Sequence, residues 1–238
     1  MAMTDAAELK LRVEAIEARM ASAARRVGRD PADVALLPVS KTRPAEAVAA
    51  VVETTGLTRF AENRPQELAA KAREVAAEWV LIGPLQTNKA GLAAEFACQF
   101  QALDALRTAE ALDRRLQALG RGMDVLIEVN TSGEESKHGM APGDALALAR
   151  GLSAFSSVRP VGLMTVAVNS PDEAAVRACF TRLRDVQAHL RDGLGDGWDE
   201  LSMGMSGDFE WAIEEGSTIV RVGTAIFGPR VTPPAVPV

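Results

Sequence analysis

Short apolar runs recur along this chain at intervals that leave room for one helix between each run and the next. The runs are VALLPV (34–39), TRF (58–60), WVLI (79–82), FQAL (100–103), VLIEVN (125–130), VRPVGLM (158–164), DELS (199–202) and TIVRV (218–222), eight strand candidates in all. Between them lie stretches such as PAEAVAAVVETT, RPQELAAKAREVAA, RTAEALDRRLQALG, APGDALALARGL and PDEAAVRACFTRLRDVQAHL, whose apolar residues recur at helical spacing. Parallel strands need a long crossover between them, and a helix is the usual one. Eight strand-then-helix units predict an α/β fold, a closed (β/α)₈ barrel, with an open doubly wound sheet as the alternative. The dinucleotide-binding form of the open sheet is disfavoured, because the first strand runs into S-K-T-R-P where a G-x-G-x-x-G turn is required.

Ahead of the first strand, Leu9, Val13, Ile16, Met20, Ala24 and Val27 step by threes and fours and stop at Gly28. This predicts an extra amphipathic N-terminal helix within residues 1–30. No linker or composition break divides the chain, so residues 1–238 are expected to form one domain, with the proline-rich segment 231–238 as an exposed tail.

Charge bears on the partners. There are 26 Lys and Arg against 32 Asp and Glu, a net of −6, with both signs scattered, which leaves no footprint for nucleic acid or anionic lipid. The acidic opening lacks the pattern of a secretory signal, and no apolar run approaches the roughly 18 residues of a membrane span, so a cytoplasmic location is expected; the chain is also expected to be a monomer. Cys98 and Cys179 stand apart, neither at metal-ligand spacing, and are read as free thiols with no metal site.

In a parallel barrel the chemistry gathers at the carboxyl ends of the strands. Those ends carry Ser40-Lys41-Thr42, Glu62-Asn63-Arg64, Asn130-Thr131-Ser132, Met164-Thr165, the S-M-G-M-S run at 202–206, and Arg221-Val222-Gly223-Thr224. Lys41, at the end of an apolar strand, would aim its amine into the mouth, where desolvation and nearby cations favour a nucleophilic amine; a lysine reaching to solvent at the rim is the plainer reading. Ser206, Gly223 and Thr224 lie in the loops after strands seven and eight, the usual phosphate position, although such residues are also ordinary turn formers. Arg221 would be buried and in need of a partner, either a ligand or a salt bridge to Glu62. The loop at 131–140, with Lys137 beside His138, reads as a solvated lid without chemistry of its own.

Taken together, the blocks LPVSKTRP, FAENRPQEL, WVLIGPLQTNK, VLIEVNTSGEESKHGM, GLMTV and LSMGMSGDFEWAIEEGSTIVRVGTAIFG resemble the pyridoxal phosphate homeostasis proteins, single-domain relatives of the alanine racemase barrel. The resemblance implies a barrel holding pyridoxal 5′-phosphate as an aldimine on Lys41. It further implies Asn63 beside the cofactor ring, Ser206, Gly223 and Thr224 on the phosphate, Arg221 at the pyridine nitrogen, and Met203 as a packing contact. Two positions depart from the family's pattern: Ala61 replaces a glycine, and Pro84 a histidine. The expected role is buffering or carrying the cofactor, with PLP-dependent apoenzymes as recipients and no catalytic residues. An amino-acid racemase is the alternative. Racemisation needs an acid or base on each face of the substrate carbon, and the related racemases use a tyrosine, which this chain lacks altogether.

Overall fold

The structure, a computed structural model, describes residues 6–134 and 136–229; the tail at 231–238 lies outside the described residues. All eight expected strands form: β1 (Ala35–Pro38), β2 (Arg59–Glu62), β3 (Glu78–Leu81), β4 (Ala97–Leu103), β5 (Met123–Glu128), β6 (Val158–Met164), β7 (Glu200–Ser202) and β8 (Ile219–Val222). They make one parallel sheet in the order β1-β8-β7-β6-β5-β4-β3-β2. A Val39–Ala61 bridge joins its two ends, with the Ser40 N–H donating to the Ala61 carbonyl at 3.0 Å. The sheet is therefore a closed barrel, and the open-sheet alternative falls.

Helices follow the strands: α2 (Ala45–Thr55), α3 (Pro65–Ala72), α4 (Ala90–Phe96), α5 (Leu106–Ala118), α6 (Ala145–Leu152), α7 (Glu173–Leu194), α8 (Phe209–Glu214) and the single turn α9 (Thr224–Phe227). The N-terminal helix α1 (Ala6–Arg26) buries Leu9, Val13, Ile16, Met20, Ala23 and Ala24 along one stripe. It ends before Gly28, whose φ of 72° suits only a residue without a Cβ penalty. α1 packs against α8, α2 and α9. Because α9 is one turn long, α1 takes the eighth place in the helical ring.

Alternation along each strand divides the side chains between two cores. Residues facing the helices, such as Phe60, Trp79, Leu81, Phe100, Val125, Ile127 and Leu163, join one large apolar cluster. Inside the barrel a small apolar cluster of Leu37, Val39, Ala61, Val80 and Ile219 fills one side. The other side is polar and hydrogen-bonded from end to end. Arg59 Nη2 donates to Gln99 Oε1 (2.7 Å), Gln99 Nε2 to Glu200 Oε2 (2.7 Å), Gln101 Nε2 to Gln99 Oε1 (2.8 Å) and Ser202 Oγ to Gln101 Oε1 (2.7 Å). Most of these groups satisfy one another, which makes their burial tolerable, while Arg59 Nε is buried without a partner among the described residues. The chain of bonds ends at Arg221, under the carboxyl mouth.

Candidate functional site

Lys41 continues the inward parity of Leu37 and Val39, and it lines a cleft of about 270 Å³ at the carboxyl mouth together with Arg43, Ile82, Met205, Ser206, Arg221, Gly223 and Thr224. Five of the seven residues expected from the sequence thus share one wall-to-wall space. Met203 does not line it: it is fully buried in the large core, and Met205, two residues on, forms the cleft wall instead. Asn63 stands behind the end of β2, where its side-chain oxygen is buried and meets no hydrogen-bond partner among the described residues.

The chain at Lys41 is held in an unusual shape. Thr42 has φ of 64°, a left-handed conformation that a β-branched residue adopts only under constraint. Arg43 N–H closes the turn on the Ser40 carbonyl at 2.9 Å, and the Arg43 guanidinium donates to the carbonyls of Gly228 (2.5 Å) and Pro229 (2.6 Å). Beneath the turn lies a buried ionic cluster that sequence reasoning did not foresee. Lys71 Nζ contacts Glu62 Oε1 at 2.5 Å and Glu67 Oε1 at 3.1 Å, while Ser40 Oγ donates to Glu62 Oε1 at 2.6 Å. The alternative of a salt bridge between Arg221 and Glu62 is therefore corrected: Lys71 is the cation on Glu62. Burial pushes the Glu62 carboxyl above its ordinary range, against the pull of Lys71 and Ser40.

Arg221 is itself buried, donating to Ser202 Oγ (2.7 Å) and to the Thr165 carbonyl (2.7 Å). Burial lowers its pKa to about 10, with Glu128 and Asp208 pulling the other way, so it remains a cation at neutral pH. Across the mouth, burial raises the Glu128 carboxyl to about 7 despite the field of Arg221.

The loops after β7 and β8 are tied together where Ser206 Oγ accepts the Ala225 N–H at 3.3 Å. Gly204 is required there: its φ is 94°, and a Cβ would come within 2.6 Å of Ala212 Cβ. At Gly223 a Cβ would meet the Val39 carbonyl at 3.1 Å, whereas Gly207 faces open space. Among the residues described in the 131–140 loop, the backbone is knit by Asn130, which accepts from Ser132 Oγ (3.0 Å) and the Gly133 N–H (3.2 Å) and donates to the Glu134 carbonyl (2.8 Å). Lys137 pairs with Glu134 at 2.8 Å and donates to the Ala167 carbonyl at 2.9 Å.

Ala61, one of the two departures from the expected pattern, is wholly buried in the small lumen cluster, and Pro84 is exposed. Cys98 is half-buried and Cys179 buried, both as free thiols. Among the described residues no helix is long and apolar enough to cross a membrane.

Comparison with known proteins identifies the family and its fold. The family model described as "Alanine racemase, N-terminal domain" matches residues 11–231. A protein of Pseudomonas aeruginosa named pyridoxal phosphate homeostasis protein is 44% identical over 218 residues, spanning 90% of this chain and 93% of that one. A protein of the same name from Vibrio cholerae is 42% identical over 225 residues, 92% and 94% of the two chains. Among solved structures, PipY of Synechococcus elongatus with PLP bound superposes with a TM-score of 0.74 at 36% identity, covering 90% of this chain and all of that one. On that evidence the chain belongs to the pyridoxal phosphate homeostasis protein family, built on the alanine racemase N-terminal domain.

Proposed function

We propose that this protein binds pyridoxal 5′-phosphate at the Lys41 mouth and buffers or carries it, as a monomer in the cytoplasm, for PLP-dependent apoenzymes. One observation carries the reading: a single small cleft gathers Lys41, Arg221, Ser206, Gly223 and Thr224. The cofactor named for the family supplies an aldehyde that condenses reversibly with a primary amine and releases water.

The residues take the parts that the family resemblance implies. Lys41 is the amine that the cofactor's aldehyde meets. The hydroxyls of Ser206 and Thr224 and the backbone N–H groups around Gly223 hold the phosphate. Arg221 faces the ring nitrogen, Asn63 stands beside the ring, and Met203 supports the wall from behind. The buried Asn63 oxygen without a partner is the kind of group a ligand satisfies.

The same residues argue against turnover. A guanidinium still charged at neutral pH disfavours a protonated ring nitrogen, which weakens the ring as an electron sink. With no tyrosine in 238 residues, the second proton donor that the related racemases use is missing.

Borohydride reduction of the loaded protein followed by peptide mapping should put the label on Lys41, and Lys41→Ala should take up none. Loaded protein should reactivate an apo transaminase without added substrate. Racemisation of L-alanine at about 1 s⁻¹ or faster, with no reactivation, would overturn the carrier reading in favour of a racemase.

A further inference from the structure

We infer that Glu67 and Lys71 on α3 are positioning residues for Lys41, clamping the two peptide groups on either side of it. This rests on the reading of Lys41 as the cofactor's amine. Lys71 Nζ donates to the Ser40 carbonyl at 2.8 Å, the peptide group entering Lys41. Glu67 Oε1 accepts the Thr42 N–H at 2.6 Å, the peptide group leaving it. These two side chains sit one helical turn apart and contact each other at 3.1 Å, so each fixes the other. Glu62 closes the cluster from β2, taking Lys71 Nζ at 2.5 Å and Ser40 Oγ at 2.6 Å.

The cluster's cost argues that it is more than padding. Lys71 and Glu62 are almost wholly out of solvent, and Glu62 Oε2 is buried without a partner among the described residues. Buried ion pairs of this kind contribute little net stability compared with apolar packing. They do supply direction. Here the direction falls on the backbone of one residue, and Thr42, held left-handed at φ 64°, is the strained link it maintains.

α3 also starts directly after Asn63, with Arg64 as its N-cap and Pro65 in its first turn. One rigid helix therefore sets the root of Lys41 and the chain bearing Asn63 together. A lysine side chain has four rotatable bonds, and fixing its root narrows where the amine can be found; that is how a supporting shell accelerates a bimolecular attack.

The test separates amine positioning from pocket integrity. Imine formation with pyridoxal 5′-phosphate is followed by visible absorbance in the wild type, Glu67→Ala, Glu67→Gln and Lys71→Met. Affinity for pyridoxine 5′-phosphate, which carries an alcohol in place of the aldehyde, reads the pocket without the amine, and thermal unfolding reads the fold. Glu67→Ala should slow imine formation about tenfold, the scale of one charge-assisted hydrogen bond, while pyridoxine 5′-phosphate binds as in the wild type. Glu67→Gln keeps an acceptor for Thr42 and should recover most of the rate. An unchanged rate in Glu67→Ala, or equal loss for both ligands, overturns the inference. Should Lys71→Met fail to fold, the half-solvated Glu67 pair of variants still decides. Lys41→Ala in the same assay addresses the underlying reading separately: a retained imine band would place the amine elsewhere and sink that reading, whatever the Glu67 variants do.

Discussion

Arg221 carries its charge in near-complete burial while, among the described residues, its guanidinium donates only to neutral oxygens, Ser202 Oγ and the Thr165 carbonyl. Compensation comes through the field of Glu128 and Asp208, and the same field acts back on Glu128. Burial nevertheless dominates there and lifts that carboxyl to about 7, with Asp104 adding repulsion. A folded-state pKa above the unfolded one means the native protein holds more protons between the ordinary carboxylate value and 7. Stability should therefore be highest near the bottom of that window and decline as pH rises through it. Burial of Glu62 and Asp208 pushes in the same direction. Urea unfolding between about pH 5 and pH 8 should show the decline, and Glu128→Gln should flatten it and be relatively more stable at the alkaline end; an unchanged slope would show that Glu128 is not the group responsible. At this scale Lys41 and Arg221 were legible as cleft residues because residues at strand ends inherit the strand's parity, and Ser206, Gly223 and Thr224 because the loops after the last two strands border the mouth. The sequence did not announce the Glu62 partner. Glu67 and Lys71 show as an ordinary i,i+4 pair in RPQELAAKA, and nothing local says that their shared face is buried beneath β1.

Most strands were legible as elements because a strand buried on both faces reads as an almost unbroken apolar run, β2 and β7 through their place in the repeat, and every run found a place in the sheet. The elements that escaped are α4, α8 and α9, of seven, six and four residues. So few residues hardly display a 3.6-residue period, and these helices owe their existence to the strands they pack on. Strand pairing itself leans on one close approach that periodicity does not reveal. On β6, Gly162 pairs with Glu200, and a Cβ at Gly162 would lie 2.0 Å from the Glu200 carbonyl oxygen. Backbone cannot rotate away as a flexible side chain would. Gly162→Ala should therefore force β6 from β7, at a cost of about 2–3 kcal/mol in chemical denaturation. It should also disturb Gln99, whose amide reaches the neighbouring Glu200 carboxylate at 2.7 Å. A variant within about 0.5 kcal/mol of wild type would mean the strands part more readily than the register indicates.

For the whole molecule, the same repeating pattern suits a closed barrel and an open sheet, and the contact that decides, Val39 with Ala61, lies between the first strand and the second. The additional N-terminal helix forms as the pattern presented it, and it packs between α8 and α2, beside the one-turn α9. That position gives the helix a task at the opposite end of the sequence. Arg12 Nη1 donates to the Ile226 carbonyl at 3.0 Å, and the same nitrogen would lie 3.3 Å from a Cβ at Gly228, so the guanidinium is seated against the end of α9. Gly223 and Thr224, at the other end of that single turn, line the cleft. A turn this short has few bonds of its own to resist displacement, and α1 supplies its backing. Two substitutions distinguish the scaffold from the support. Ile16→Ala empties a buried position on the α1 stripe and should cost about 3 kcal/mol in global stability, with the affinity of the folded protein for pyridoxal 5′-phosphate little changed. Arg12→Ala, on a half-buried side chain, should cost far less stability yet release the α9 turn, weakening pyridoxal 5′-phosphate more than unphosphorylated pyridoxal. Calorimetric titration with both ligands makes the comparison directly, and an equal change for the two would mean that α1 holds the barrel together without bearing on the phosphate site proposed in the cleft.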